Sequence, residues 1–155
     1  MSLSNLKFTL KAWPVITAVT IGLCYLTQTV AGWFGITLPD QANLDIVRRC
    51  AGWNWNFAFL CLQVVAVMPA IEECIFRLPM RWLRHPAFAV ISSLLFSAAH
   101  YIAQPFPDSA FLALFVFGIL QCWLYRKTGA IWWPIVNHAL FNSVNMVLLF
   151  VIPQA

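Results

Sequence analysis

Six side chains stand out in the apolar stretches of this 155-residue chain, Glu72, Glu73, Arg77, His100, His138 and Asn142, where the other polar residues are Ser, Thr, Asn or Gln. Their types and spacing suggest specific chemistry. Glu73 and Arg77 are four residues apart, the helical spacing at which a carboxylate meets a guanidinium, so this pair neutralises itself and reads as structural. Glu72 is turned by roughly 100° from Glu73 around a helix and lacks that partner. Two adjacent carboxylates with one arginine leave a surplus negative charge, and such a carboxylate in a water-poor setting is suited to take a proton from water. His138 and Asn142 repeat the four-residue spacing, so two donors share one face, as the stabilisation of a developing oxyanion requires. Pro69 lies three residues before Glu72 and is expected to loosen the helix there. Taken singly, His100 reads as a packed, hydrogen-bonded histidine and Asn142 as an interhelical hydrogen-bonding group. The set as a whole carries the chemical reading.

The elements that must position these groups follow from composition. The chain is 62% hydrophobic and 9% charged, against roughly 45–50% apolar and about 25% charged in a soluble domain. It cannot cover a water-facing surface, and it is too hydrophobic for a disordered chain. Charge-free stretches run over 12–39, 50–71, 85–107, 109–125 and 128–155. A bilayer-crossing helix needs about 20 largely apolar residues. The expected fold is therefore all-α, a single-domain transmembrane bundle of about five spans over residues 1–155, near 13–35, 54–84, 87–103, 109–125 and 131–151. The second span is carried past its charges to Arg84 because that brings Glu72, His100, His138 and Asn142 to similar depths at about 1.5 Å of rise per residue. The first span is too long for a signal peptide and reads as an uncleaved anchor.

Ionisable groups inside a bilayer are costly and usually functional. Trp13, Trp33, Trp53, Trp55, Trp82, Trp123, Trp132 and Trp133 fall near the proposed boundaries, where indoles favour the headgroup zone. With a cytoplasmic N-terminus, Lys7, Lys11, Arg77, Arg81, Arg84, Arg126 and Lys127 lie toward the inner side. Arg48 and Arg49 lie outside with Asp40, Asp45 and Asp108, in the sense of the positive-inside rule. The net charge of +4 is then a topology signal, and no nucleic-acid partner is expected. Cys24, Cys50, Cys61, Cys74 and Cys122 show no paired metal spacing and no disulfide framework.

Three short patterns add a resemblance. Glu72-Glu73-Cys74-Ile75-Phe76-Arg77 reads E-E-x-x-x-R, Phe96 to His100 reads F-x-x-x-H, and His138 to Asn142 reads H-x-x-x-N. In this order, over about residues 69–142, they resemble the CAAX-protease and bacteriocin-processing (Abi) family of intramembrane endopeptidases. The resemblance implies that Glu72, assisted by His100, activates water, that His138 and Asn142 form an oxyanion hole, and that Glu73 and Arg77 support the site. It implies a membrane-associated peptide or protein substrate in a bacterial or archaeal inner membrane, such as a C-terminal sorting tail. No cofactor is expected, because Asn is a poor zinc ligand and no H-E-x-x-H is present. A divalent metal such as zinc on Glu72, His100 and His138 is the alternative. Two features depart from the family pattern: Leu78-Pro79 stands where a Gly often follows the Arg, and many members have more than five spans. Other classes are open to the same groups, namely a non-enzymatic immunity or scaffold protein and a proton-relay subunit.

Overall fold

A computed structural model describes residues 2–39, 47, 49–52, 54–83, 85–102 and 108–151. Arg84, Arg48, Trp53, Asp40, Asp45, Pro105 and Pro107, among the residues that mark boundaries and orientation in the sequence, lie outside the described residues. The described chain is helical and without strands. Five helices follow one another: α1 (Leu3–Trp33), α2 (Trp55–Phe76), α3 (Pro86–Ala99), α4 (Phe111–Thr128) and α5 (Trp132–Val151). Of these, α1, α2 and α5 are long and apolar enough to cross a membrane, and α3 is a shorter apolar helix. The chain is a helical membrane bundle.

The two largest departures from the expected boundaries each have a local reason. Helix α1 begins at Leu3, ten residues early, because no Gly or Pro precedes Pro14 and exposed Lys7 and Lys11 are tolerated beyond the apolar run. Helix α2 stops at Phe76 and not near residue 84. Pro79 cannot donate an N–H to an α-helical ladder, and the chain tightens into a 3-10 turn over Leu78–Arg81.

Helix starts and packing obey simple rules. The His85 ring accepts the Ala87 N–H at 3.2 Å, and Pro86 takes the first position of α3, where its missing donor costs nothing. Gly129, at φ +69°, ends α4 in the left-handed conformation. Helices α3 and α4 approach closely at Gly118: a Cβ there would lie 2.8 Å from the Ser93 Cβ, so glycine is what permits the contact. Ile16, Phe96, Leu114, Phe117 and Phe141 join α1, α3, α4 and α5 in one apolar core. Gln121 of α4 donates to Asn137 of α5 at 3.1 Å, both fully buried.

The head of α4 is held by Asp108. Its carboxylate accepts the N–H groups of Ala110 and Phe111 at 2.8 and 3.1 Å, together with the Tyr101 hydroxyl. Asp108→Ala is expected to lower stability by about 1–2 kcal/mol, the range for a lost helix cap. Tyr101→Phe, which keeps the cap, is expected to cost less. Thermal unfolding in detergent measures both.

Candidate active site

The site is built on a defect in α2. Over Gln63–Val67 the helix widens into a π turn, and the Met68 N–H reaches back five residues to the Gln63 carbonyl. Met68 would be the α-helical donor to the Val64 carbonyl, and Pro69 would be the π-helical one. The first is engaged elsewhere and the second has no N–H. The Asn142 amide of α5 supplies the missing bond, donating to the Val64 oxygen at 2.8 Å. The expectation that Pro69 loosens this stretch corresponds to the wide turn directly before it, and the helix resumes over Met68–Phe76.

One turn further on, the charged groups meet. Glu73 is fully buried, with a hydrogen bond on one side and an ion pair on the other. Its Oε1 accepts from His138 Nδ1 at 2.9 Å, and its Oε2 lies 3.2 Å from Arg77 Nε. The Arg77 guanidinium, also fully buried, stacks over the Phe96 ring at 4.7 Å and lies 5.8 Å from that of Phe76. These cation–π contacts compensate for a guanidinium whose Nε and terminal nitrogens make no hydrogen bond among the described residues. Glu72 is the one partly exposed member, with a side chain 19% accessible, and its Oε2 is 3.7 Å from His138 Nε2. His138 thus lies between two carboxylates, its ring held by Phe117 at 4.9 Å and Phe96 at 5.9 Å.

Tautomers follow from the partners. A carboxylate oxygen facing Nδ1 makes that nitrogen of His138 the donor, so the chemistry on the Glu72 side belongs to Nε2. His100 sits just past the end of α3, half-buried, with Nδ1 2.9 Å from the Phe96 carbonyl and its ring 4.8 Å from the Phe96 ring. A carbonyl only accepts, so Nδ1 is the donor in this contact, and a neutral ring would carry its acceptor lone pair on Nε2. Phe96 therefore touches both imidazoles and the guanidinium.

Glu72, Glu73, Arg77 and His138 form one contiguous cluster. His100 touches the same Phe96 ring that His138 and Arg77 touch. Asn142, one turn below His138, is tied to the wide turn of α2. The contact between Glu73 and His138 was not among the sequence expectations, which closed Glu73 onto Arg77 alone. The surplus carboxylate at 72–73 was the signal that a further cation or donor had to be near. Among the described residues no three His, Cys, Asp or Glu side chains are grouped to hold a metal ion. His138 donates from Nδ1 to Glu73, which leaves Nε2 as its outward donor atom, 3.7 Å from Glu72, an orientation that a metal-ligating histidine also takes.

A membrane bundle with a buried carboxylate–imidazole–guanidinium cluster has the makings of an intramembrane hydrolase. Comparison with known families returns a match to the type II CAAX prenyl endopeptidase, Rce1-like, over residues 54–144. The match covers more than half of the chain and all six site residues, and the chain belongs to that family of membrane peptidases. No curated protein and no solved structure gives a match.

Proposed function

We propose that this protein is an intramembrane endopeptidase in which Glu72 acts as base on a water molecule. The observation that carries the reading is His138 suspended between Glu73 at 2.9 Å and Glu72 at 3.7 Å, with Arg77 behind Glu73. The charges explain why this matters. Two carboxylates and one guanidinium sum to −1, and a proton on His138 makes the set neutral while Glu72 stays ionised. In that state Glu72 is a proton acceptor and His138 Nε2 is a proton donor, so base and electrophile stand side by side.

The steps are those of peptide hydrolysis. A water proton passes to Glu72, assisted by the Nε2 lone pair of His100, as the oxygen attacks the scissile carbonyl. His138 Nε2–H and the second amide proton of Asn142 stabilise the oxyanion. The Val64 carbonyl orients that amide by engaging its first proton. Glu72 then returns the proton to the leaving amine, and the bond breaks. Glu73 and Arg77 position His138. The proposed site requires no cofactor, and the substrate class is a membrane-associated peptide or protein tail in a bacterial or archaeal inner membrane, with the N-terminus of the protease cytoplasmic.

Two expected results test this reading with purified protein in nanodiscs and a fluorogenic membrane-anchored peptide. His138→Ala and Asn142→Ala are each expected to lower kcat by about 10²–10³, the loss for one oxyanion donor, with little change in KM. Chelation with 1,10-phenanthroline is expected to leave kcat unchanged. A loss restored by added zinc would instead establish the metal-dependent alternative. A peptide bound tightly by wild type and both variants, and cleaved by none, would favour an immunity or scaffold role.

A further inference from the structure

A second feature lies outside the catalytic cluster, at the end of the bundle where the cations gather. Asn5 donates to the Thr128 carbonyl at 3.0 Å, and Phe8 packs on Trp123. These contacts set the start of α1 beside the end of α4. Arg126 donates to the His85 carbonyl at 3.2 Å, which adds the start of α3. The 3-10 turn after α2 and the turn between α4 and α5 enclose a crevice of about 350 Å³. Its lining includes Leu78, Arg81, Tyr125, Gly129, Ile131 and Trp132. An adjoining hollow of about 370 Å³ shares Arg81, Tyr125 and Gly129 and adds Arg126. Both are within the size range of small-ligand sites.

The electrostatics of this end are one-sided. Lys7, Lys11, Arg81, Arg126 and Lys127 belong to it. The carboxylates on described residues are Glu72 and Glu73, committed to the catalytic cluster, and Asp108 at the opposite end of α4. The Arg81 side chain is exposed and makes no ion pair or hydrogen bond among the described residues, although it borders both hollows. Trp132, 65% exposed, lines the crevice with Arg81, and Trp82, the next residue in the chain, is 71% exposed, as indoles are at the headgroup level. A guanidinium presented in a crevice beside an exposed indole and apolar Leu78 and Ile131 matches a phosphate that carries acyl chains.

We propose that this crevice binds the phosphate of an anionic membrane lipid, with Arg81 as its principal contact. Such a site is independent of the peptidase reading. The source is a lipid headgroup and not a free anion, because apolar Leu78 and Ile131 and the exposed Trp132 line the crevice beside Arg81 and offer acyl chains a surface that an inorganic anion would not use.

The test is native mass spectrometry of the full chain, titrated with phosphatidylglycerol or with phosphatidylcholine of the same acyl composition. Wild type is expected to retain phosphatidylglycerol at least about five-fold more strongly, the factor that one arginine supplies near an anionic surface. Arg81→Gln is expected to remove most of that preference, and Arg81→Lys to keep part of it. Melting of Arg81→Gln in phosphatidylcholine should equal that of wild type, which separates lost binding from lost folding. Equal retention of the two lipids by wild type, or undiminished phosphatidylglycerol retention by Arg81→Gln, would overturn the site. Stabilisation by inorganic phosphate as large as that by phosphatidylglycerol would overturn the assignment to a lipid.

Discussion

Glu72→Gln is expected to lower kcat by about 10²–10⁴ with the fold intact, the contribution of a positioned general base. The substitution preserves shape and removes only the charge and the proton-accepting oxygen. Glu72 is the partly exposed member of the cluster, at 19%, and its nearest ionisable partner is 3.7 Å away. Its loss therefore leaves no buried charge without a counterpart: Glu73 keeps both Arg77 and His138. Melting temperature and insertion are expected to match wild type within experimental scatter, and KM to change little. A drop in kcat together with a collapse in stability would mean that Glu72 is structural.

Arg77→Met is expected to produce the largest loss of stability, about 3–5 kcal/mol, the cost of stranding one partner of a buried ion pair. The guanidinium is fully buried, 3.2 Å from Glu73 and stacked on Phe96, so its removal leaves the Glu73 carboxylate with His138 alone. The double variant Glu73→Gln with Arg77→Met tests the cause. Removing both charges is expected to recover most of the stability, since a buried pair replaced by neutral groups is often close to neutral in energy. Activity is expected to stay low, because an amide at position 73 no longer offers His138 Nδ1 the carboxylate that orients the ring, although the net charge of the cluster is unchanged. Denaturant unfolding in micelles and turnover of the same samples measure the two effects separately.

The expected cluster depended on depth, and depth was legible because charges are sparse enough for spans to be counted. The five described helices follow those gaps. What composition does not encode is rotation. Whether His138 faces Glu72, Glu73 or lipid depends on how α5 is turned against α2, and spacing within one helix says nothing of that angle. The Glu73–His138 bond was therefore missed although both residues were singled out. The same limit hid Gln121 and Asn137, which look like incidental amides in apolar runs until α4 and α5 are set side by side. The π turn was half legible. Pro69 announced a defect, but the wide turn also needs an outside donor for the Val64 carbonyl, and Asn142 is 78 residues away. With α2 ending at Phe76, Glu72 still lies 3.7 Å from His138, while His100 and His138 each touch the Phe96 ring.

Whether Glu72 drives peptide-bond cleavage within the lipid layer is decided by mapping the C-termini of membrane proteins, by mass spectrometry, in cells carrying either the wild-type chain or Glu72→Gln at equal abundance. At least one membrane protein is expected to have its tail shortened beside the wild-type chain and left whole beside the variant. Identical termini in the two cell lines, or the same cut made by both, would refute the role of Glu72 as the hydrolytic base.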